Sequence, residues 1–291
     1  MRCAIVFVCL LMLTTVGSAS SSLSDVLPAG GDCETQFERG FIDSFAAPGP
    51  SGVSAMGLDW VPGMGIMYFG TEVDGYLYEV EPDGTPHLLV DTEVQLGHKG
   101  EINGVCYVGH PEGGLICATD YNGHDANQDP IYVIDEVGAI IDSINVRDFC
   151  PGVSGIAFDG AFFYLSSYDD GTVIRCTEAF EPVDAWPHPG IGAGPGSHGG
   201  GIDFDPMTGH LYLMDAYNTV VYVCDIGMNV VDAFPSHWYG GSTFGVSLGR
   251  LRSERSLWTT CWGTNRIYEI DDPFFTSVEE QSWGGIKALF R

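Results

Sequence analysis

Residues 155–176 read GIAFDGAFFYLSSYDDGTVIRC. Three short apolar runs alternate with two polar turns. The second turn carries Asp170-Gly171, a pair suited to a tight hairpin because Gly tolerates positive φ and Asp bonds its own backbone. The stretch therefore predicts three antiparallel strands. Its opening, Gly155-Ile156-Ala157-Phe158, has four counterparts: Gly57-Leu58-Asp59-Trp60, Gly104-Val105-Cys106-Tyr107, Gly201-Ile202-Asp203-Phe204 and Gly245-Val246-Ser247-Leu248. They recur about every 45 residues, the period of a four-stranded propeller blade.

The second and third strands align as well: YFGTEVDGYLYEV at 68–80, ICATDYNGHDANQDPIYVI at 116–134, LYLMDAYNTVVYVC at 211–224 and LWTTCWGTNRIYEI at 257–270. Fourth strands are predicted at 140–144 and 230–234. One four-stranded sheet cannot bury both faces alone, whereas blades ranged around an axis can. The Gly at each first strand fits an inner strand where backbones crowd the axis. The expectation is an all-β propeller of five blades, with six as the alternative count. Phe41-Ile42-Asp43-Ser44-Phe45 reads as a fourth strand lying ahead of the first repeat, and the fifth repeat lacks one. The N-terminal strand is therefore predicted to complete the last blade and close the ring.

The ends read differently. Residues 4–13 (AIVFVCLLML) follow Arg2 and precede Gly17-Ser18-Ala19, the pattern of an export signal over 1–19 and too short to span a membrane. A leader over 20–36, a propeller over 37–276 and a tail over 277–291 complete the division. The tail, SVEEQSWGGIKALFR, resembles C-terminal sorting elements of exported proteins; a strand or turn packed on the propeller is the alternative. A secreted or extracytoplasmic monomer follows.

Composition narrows the partners. Lys and Arg number 11 against 39 Asp and Glu, a net charge of −28. Such a chain repels phosphate backbones and anionic lipid, so nucleic acid and membrane surfaces are excluded as partner classes. Seven cysteines remain beyond the signal: Cys33, Cys106, Cys117, Cys150, Cys176, Cys224 and Cys261. Cys106 and Cys117 fall on adjacent strands and are the expected intrachain pair, the others being small buried apolar residues.

Four places carry candidate chemistry. Asp120, Asn122, Asp125, Asn127 and Asp129 space oxygen ligands along an unusually long hairpin loop, as Ca2+ or another hard divalent cation requires; a solvated acidic turn is the alternative. His98, Glu101 and Asn103, with Ser154, His198, Ser242 and Thr243, precede first strands and face the channel mouth. There His98, Glu101 and His198 would bind a divalent metal or serve as acid and base, against the alternative of a hydrated polar channel. Gly245-Val246-Ser247-Leu248-Gly249 matches a nucleophile elbow, but lies within a first strand rather than a strand-to-helix turn. Residues 194–199 (GPGSHG) match a dinucleotide fingerprint, but a strand follows where a helix is needed. Trp186, Trp238 and Trp262 sit near strand ends, as a ligand platform or as packing between blades.

The Gly-apolar first strands, and third strands such as Ile131-Tyr132-Val133-Ile134, resemble the extracytoplasmic propellers of the NHL-repeat, YncE-like and SMP-30/gluconolactonase-like group over about residues 41–274. The resemblance implies a fold whose function resides in loops and axial channel. The first expectation is a secreted non-enzymatic propeller binding a protein, glycan or small ligand. A metal-dependent lactonase-like hydrolase or lyase at the channel is the alternative. A glutaminyl cyclase-like acyltransferase, whose plant-type form also has five blades, is a third; Glu72 would offer its carboxylate.

Overall fold

The computed structural model describes residues 41–49, 55–61, 65–81, 83–109, 114–121, 127–190, 198–236, 243–249, 256–261 and 264–272. The export signal, leader, Cys33, Trp238, Trp262 and tail lie outside them. Strand β1 (Phe41–Ala46) comes first among the described residues. Blade one follows as β2 (Ala55–Val61), β3 (Ile66–Thr71), β4 (Tyr76–Val80) and β5 (Pro86–Asp91), then the short helix α1 (Thr92–Leu96). Blade two is β6 (Ile102–Val108), β7 (Leu115–Asp120), β8 (Pro130–Asp135) and β9 (Ile140–Asn145). Blade three is β10 (Val153–Phe158), β11 (Phe163–Ser167), β12 (Thr172–Cys176) and β13 (Pro182–Pro187). Blade four is β14 (Gly199–Asp205), β15 (His210–Asp215), β16 (Val220–Cys224) and β17 (Val230–Pro235). Blade five is β18 (Thr243–Gly249), β19 (Ser256–Cys261) and β20 (Arg266–Asp271), completed by β1 in the order β18, β19, β20, β1.

The five-bladed reading and the N-terminal closure therefore hold. β1 runs antiparallel to β20, from Phe41 opposite Ile270 to Ala46 opposite Arg266. The Arg266 guanidinium donates to the Ser44 carbonyl at 2.9 Å and to its hydroxyl. Two fourth strands, β5 and β13, were not foreseen. Both begin with Pro, which removes a ladder donor and reads as a loop, yet is tolerated on an outer edge.

Each neighbouring pair of blades encloses its own apolar core. Val61, Leu77 and Val90 of blade one meet Ile102, Val105 and Ile116 of blade two. Cys106 and Ile131 of blade two meet Ile156, Leu165 and Ile174 of blade three. Ala157 and Val173 then meet Ile202 and Leu213, Val221 and Val223 meet Val246 and Leu257, and Trp258 and Ile267 meet Leu58 and Phe69. This sandwiching leaves β11 and β16 buried at every position, while β9 and β13 are largely exposed. Burial of each such Leu, Ile or Val side chain contributes about 1.5–3 kcal/mol.

First strands of successive blades touch in a closed ring, β2 to β6 to β10 to β14 to β18 and back to β2. Glycine permits this approach. A Cβ on Gly57 would lie 2.6 Å from the Gly104 Cα, one on Gly104 2.9 Å from the Gly155 Cα, and one on Gly155 3.0 Å from the Gly201 Cα. Every first strand also breaks register with its neighbour beside this glycine. The bulge lets the inner strand bend at the axis.

Much of the acidic excess forms turns. Asp135, Asp159, Asp205, Asp215 and Asp225 each accept two backbone N–H groups of the turn that follows. Asp is suited to this because its short carboxylate mimics a turn carbonyl. Thr219 has φ 55°, in the hairpin position where blades one and three place Gly75 and Gly171.

The expected Cys106–Cys117 bond is corrected. The two residues are partners across β6 and β7, yet both are free thiols, as are Cys150, Cys176, Cys224 and Cys261, all buried. Burial pushes the Cys106 thiol up and that of Cys117 up to about 12. The thiolate that disulfide chemistry needs is thus suppressed.

Candidate functional site

At one end of the propeller the first strands begin and the second strands end. Blade two brings Tyr121 to this mouth, blade three Tyr168, blade four His198 and Tyr217, and blade five Phe244, each at or just beyond a strand end. Tyr168 lies at the centre of the group. Its ring is 4.3 Å from the His198 ring, 5.7 Å edge-on from that of Tyr121, and stacked 6.0 Å from that of Phe244. Blades three and five are not neighbours, so the Tyr168–Phe244 contact reaches past blade four. Tyr217 extends the group, 6.0 Å from His198 and 73% exposed.

Carboxylates flank the rings. The Tyr121 hydroxyl donates to Asp169 at 3.0 Å. Burial first, then Glu72 of blade one and Asp169, raise the Tyr168 hydroxyl pKa above its ordinary value. The cause is a negative local potential in a partly desolvated place. The Nδ1 of His198 is buried with no hydrogen-bond partner among the described residues.

The expected metal ligands are placed differently from one another. His98, Glu101 and His198 are all half-buried. Among the described residues no group of three or more His, Cys, Asp or Glu side chains able to hold a metal is formed. The Glu101 backbone N–H donates to Asp120 at 2.7 Å, while His198 packs on Tyr168. Asn103 is buried, and the Ser154 hydroxyl donates to the Gly199 carbonyl at 2.8 Å, tying blade three to blade four. Ser242 and the Thr243 side chain lie outside the described residues.

The ends of the acidic loop act structurally. Asp120 is buried and also accepts the Tyr132 hydroxyl at 2.7 Å. Asp129 accepts the Arg147 guanidinium at 3.0 Å and the Gly152 N–H at 2.9 Å. Asn127 is exposed, and Asn122 and Asp125 lie outside the described residues. A cation on this loop would have to compete with protein donors for both Asp120 and Asp129.

Ser247 is buried within β18, not on a strand-to-helix turn, and its hydroxyl bonds to Asp203. Asp203 also accepts the Leu248 N–H at 2.7 Å, linking blade four to blade five. Gly199 opens β14, so a strand does follow the GPGSHG run. Trp186 lies on outer strand β13 with the Arg175 guanidinium 5.7 Å from its ring centre, a packing role.

Burial pushes the Asp203 carboxyl up to about 6, against hydrogen bonds that favour its charged form. A carboxyl with a raised folded-state pKa binds its proton more tightly when folded. Its contribution is therefore fully present below about pH 4, its unfolded value, and is lost as pH rises through about 6. Asp203→Asn keeps an acceptor for Leu248. It is expected to flatten this part of the stability curve, read as the Tm difference from wild type between about pH 4 and 7. An unchanged pH profile would contradict the assignment.

Sequence reasoning missed Tyr121, Tyr168, Tyr217 and Phe244. A signal was available: aligning the ends of the second strands puts Glu72, Tyr121, Tyr168, Ala216 and Trp262 at one repeat position. Of these, Tyr121 and Tyr168 carry their rings to the mouth.

No protein-family model matches the chain, and no curated protein matches it. Solved structures do. Glutaminyl cyclase from Myxococcus xanthus superposes with a TM-score of 0.58 at 11% identity, covering 79% of this chain and 94% of that one. A chain of the nidogen/laminin complex gives 0.51 at 15% identity, covering 75% and 76%. Virginiamycin B lyase from Staphylococcus aureus, catalytically inactive and with quinupristin, gives 0.47 at 16% identity, covering 77% and 72%. Identities this low speak to fold alone: the chain is a five-bladed β-propeller resembling both enzymes and binding proteins in architecture.

Proposed function

We propose that the protein is an exported binding propeller that takes its ligand at the aromatic mouth of the axial channel. The observation that carries the reading is Tyr168, whose ring meets residues from blades two, four and five at that mouth. A blade needs no such contact to pack, since its neighbours already bury its faces. Aromatic residues grouped at a rigid opening offer a large contact area at small conformational cost. Export rests on the apolar run at residues 4–13. Among the described residues, no helix is long and apolar enough to cross a membrane.

The test uses the whole chain and a Tyr168→Ala/Tyr217→Ala variant, screened by thermal shift against amines, free sugars and short peptides. Ligands that raise the wild-type Tm and lose that effect in the variant are expected. Ligands that stabilise both proteins equally would place binding elsewhere. Turnover of a lactone or an N-terminal glutaminyl peptide, abolished by Glu72→Gln, would replace binding with catalysis.

A further inference from the structure

We propose that His188 is an acid-sensitive latch in the seam between blades three and four: a proton on its ring drives it from the seam and loosens the mouth at His198 and Tyr168. This goes beyond the binding reading and holds whatever the mouth takes. His188 directly follows β13 and is 1% exposed. Its N–H donates to the Gly171 carbonyl at 2.7 Å, which fixes the backbone against the turn between β11 and β12. Its ring meets the Tyr222 ring edge-on at 6.3 Å. A Cβ on Gly199 would lie 3.4 Å from the His188 Cδ2, so the ring rests against the residue that opens β14.

The first argument is a ring nitrogen left over. Nδ1 lies 2.8 Å from the Pro189 carbonyl oxygen, which can only accept, so Nδ1 carries the proton of the neutral ring. Nε2 then presents a lone pair, and it has no hydrogen-bond partner among the described residues. The Ser166 hydroxyl, also buried beside Gly199, has none either. Burial holds the His188 pKa below its ordinary value, against the Pro189 carbonyl, the Asp215 charge and the Met214 carbonyl, which all favour the charged ring. These acceptors keep protonation within reach of mild acid, while burial makes the seam the wrong place for the charge.

The second argument is linkage. Asp215 faces the ring from β15 and the Tyr222 phenol from β16, the latter pushed up to about 12 mainly by burial and so neutral throughout. Asp170, next to Gly171, turns its carboxylate onto Thr172. β11 and β14 bring Ser166, Ser167 and Gly199, which do not titrate. The folded pKa of His188 lies below the unfolded one. The closed seam is therefore fully favoured above about pH 6.5 and loses ground as pH falls toward the folded value. Each pH unit in that window moves the balance by up to about tenfold. Release of the ring reaches the mouth through Gly199, because the preceding residue, His198, packs its ring 4.3 Å from that of Tyr168.

The experiment follows the histidine Cε1 and tyrosine ring resonances of the whole chain by NMR, from about pH 8 to about pH 5. His188 is expected to titrate with a midpoint below that of a free histidine, and the Tyr168 ring to shift with the same midpoint. His188→Gln keeps an uncharged donor and should abolish that shift of Tyr168. His198→Gln removes the other histidine at the mouth and should leave the shift in place, which separates the latch from direct titration of His198. If His188→Gln does not fold, the matched midpoints in wild type and in His198→Gln carry the test. The proposal is overturned if His188 stays neutral until the chain unfolds, if it titrates while Tyr168 stays still, or if the Tyr168 shift survives His188→Gln and vanishes in His198→Gln.

Discussion

Gly155→Ala is expected to lower stability by about 3 kcal/mol, a fall of roughly 6–12 °C in Tm for a domain of this size. The new methyl group would sit 2.7 Å from the Gly200 carbonyl oxygen, 2.9 Å from the Ile202 nitrogen and 3.0 Å from the Gly201 Cα. All three are backbone atoms of the next blade. No rotamer change relieves such a clash, so β10 and β14 must separate. That separation propagates, because each first strand is held between two others around the axis. Gly209→Ala is the matched control. Its Cβ would meet nothing within 4 Å, and its cost is confined to a φ of +73°, about 1–2 kcal/mol. Thermal melts of the two variants beside wild type decide the matter. If Gly155→Ala melts with or above Gly209→Ala, the first strands do not crowd the axis as described.

Removing residues up to Ala46 is expected to cost about 5 kcal/mol or more, comparable to the whole stability of an ordinary domain. Without β1, the edge of β20 loses its ladder partners from Ile270 to Arg266. Phe45, whose ring lies 6.0 Å from that of Trp258, leaves the core between blades five and one. The strand that carries the chain from the sheet of blade five directly into blade one is then gone. The bared β20 edge is also a template for pairing with other chains. The shortened protein should lose cooperative unfolding by circular dichroism and aggregate on size exclusion. A peptide carrying FIDSFAAP, added in trans, should restore part of the melt by strand addition. A shortened chain that melts cooperatively within a few degrees of the full one would show that β1 does not close the ring.

These two effects arise from opposite kinds of residue. The ring glycines act by having no side chain, and β1 acts by bringing one more strand to an edge. Both were visible in the sequence because both belong to a repeat. Gly57, Gly104, Gly155, Gly201 and Gly245 recur at similar spacings, and FIDSF supplies the fourth strand that the last repeat lacks. Repetition multiplies weak local signals. The same reasoning fails for single features. β5 and β13 begin with Pro86 and Pro182, and a lone reading of those prolines favours a loop. Only their position on an outer edge makes a strand acceptable.

The candidate site was less legible. Asp120 looks like a cation ligand in sequence, because carboxylate spacing is all a sequence displays. In the fold it also accepts the Glu101 N–H and the Tyr132 hydroxyl, which spacing alone does not display. Asp129 is taken up by Arg147 and Gly152 in the same way. Ser247 matched a catalytic pattern and proved to be a buried partner of Asp203. Cys106 and Cys117 are partners in register as expected, but both are buried free thiols, which strand assignment alone does not give.

What the sequence determined by itself is the module: its approximate length, its first three strands and the closure by the strand at residues 41–45. Those follow from the period of apolar residues and the chemistry of turns, which act over a few neighbouring residues. What the tertiary structure alone decided is the mouth. Tyr121, Tyr168, Tyr217, His198 and Phe244 span 124 positions from first to last, and beyond the repeat position shared by Tyr121 and Tyr168 no local rule links them. They meet because identical strand ends are carried to the same end of one axis, and direct contact between rings depends on that placement rather than on distance along the chain.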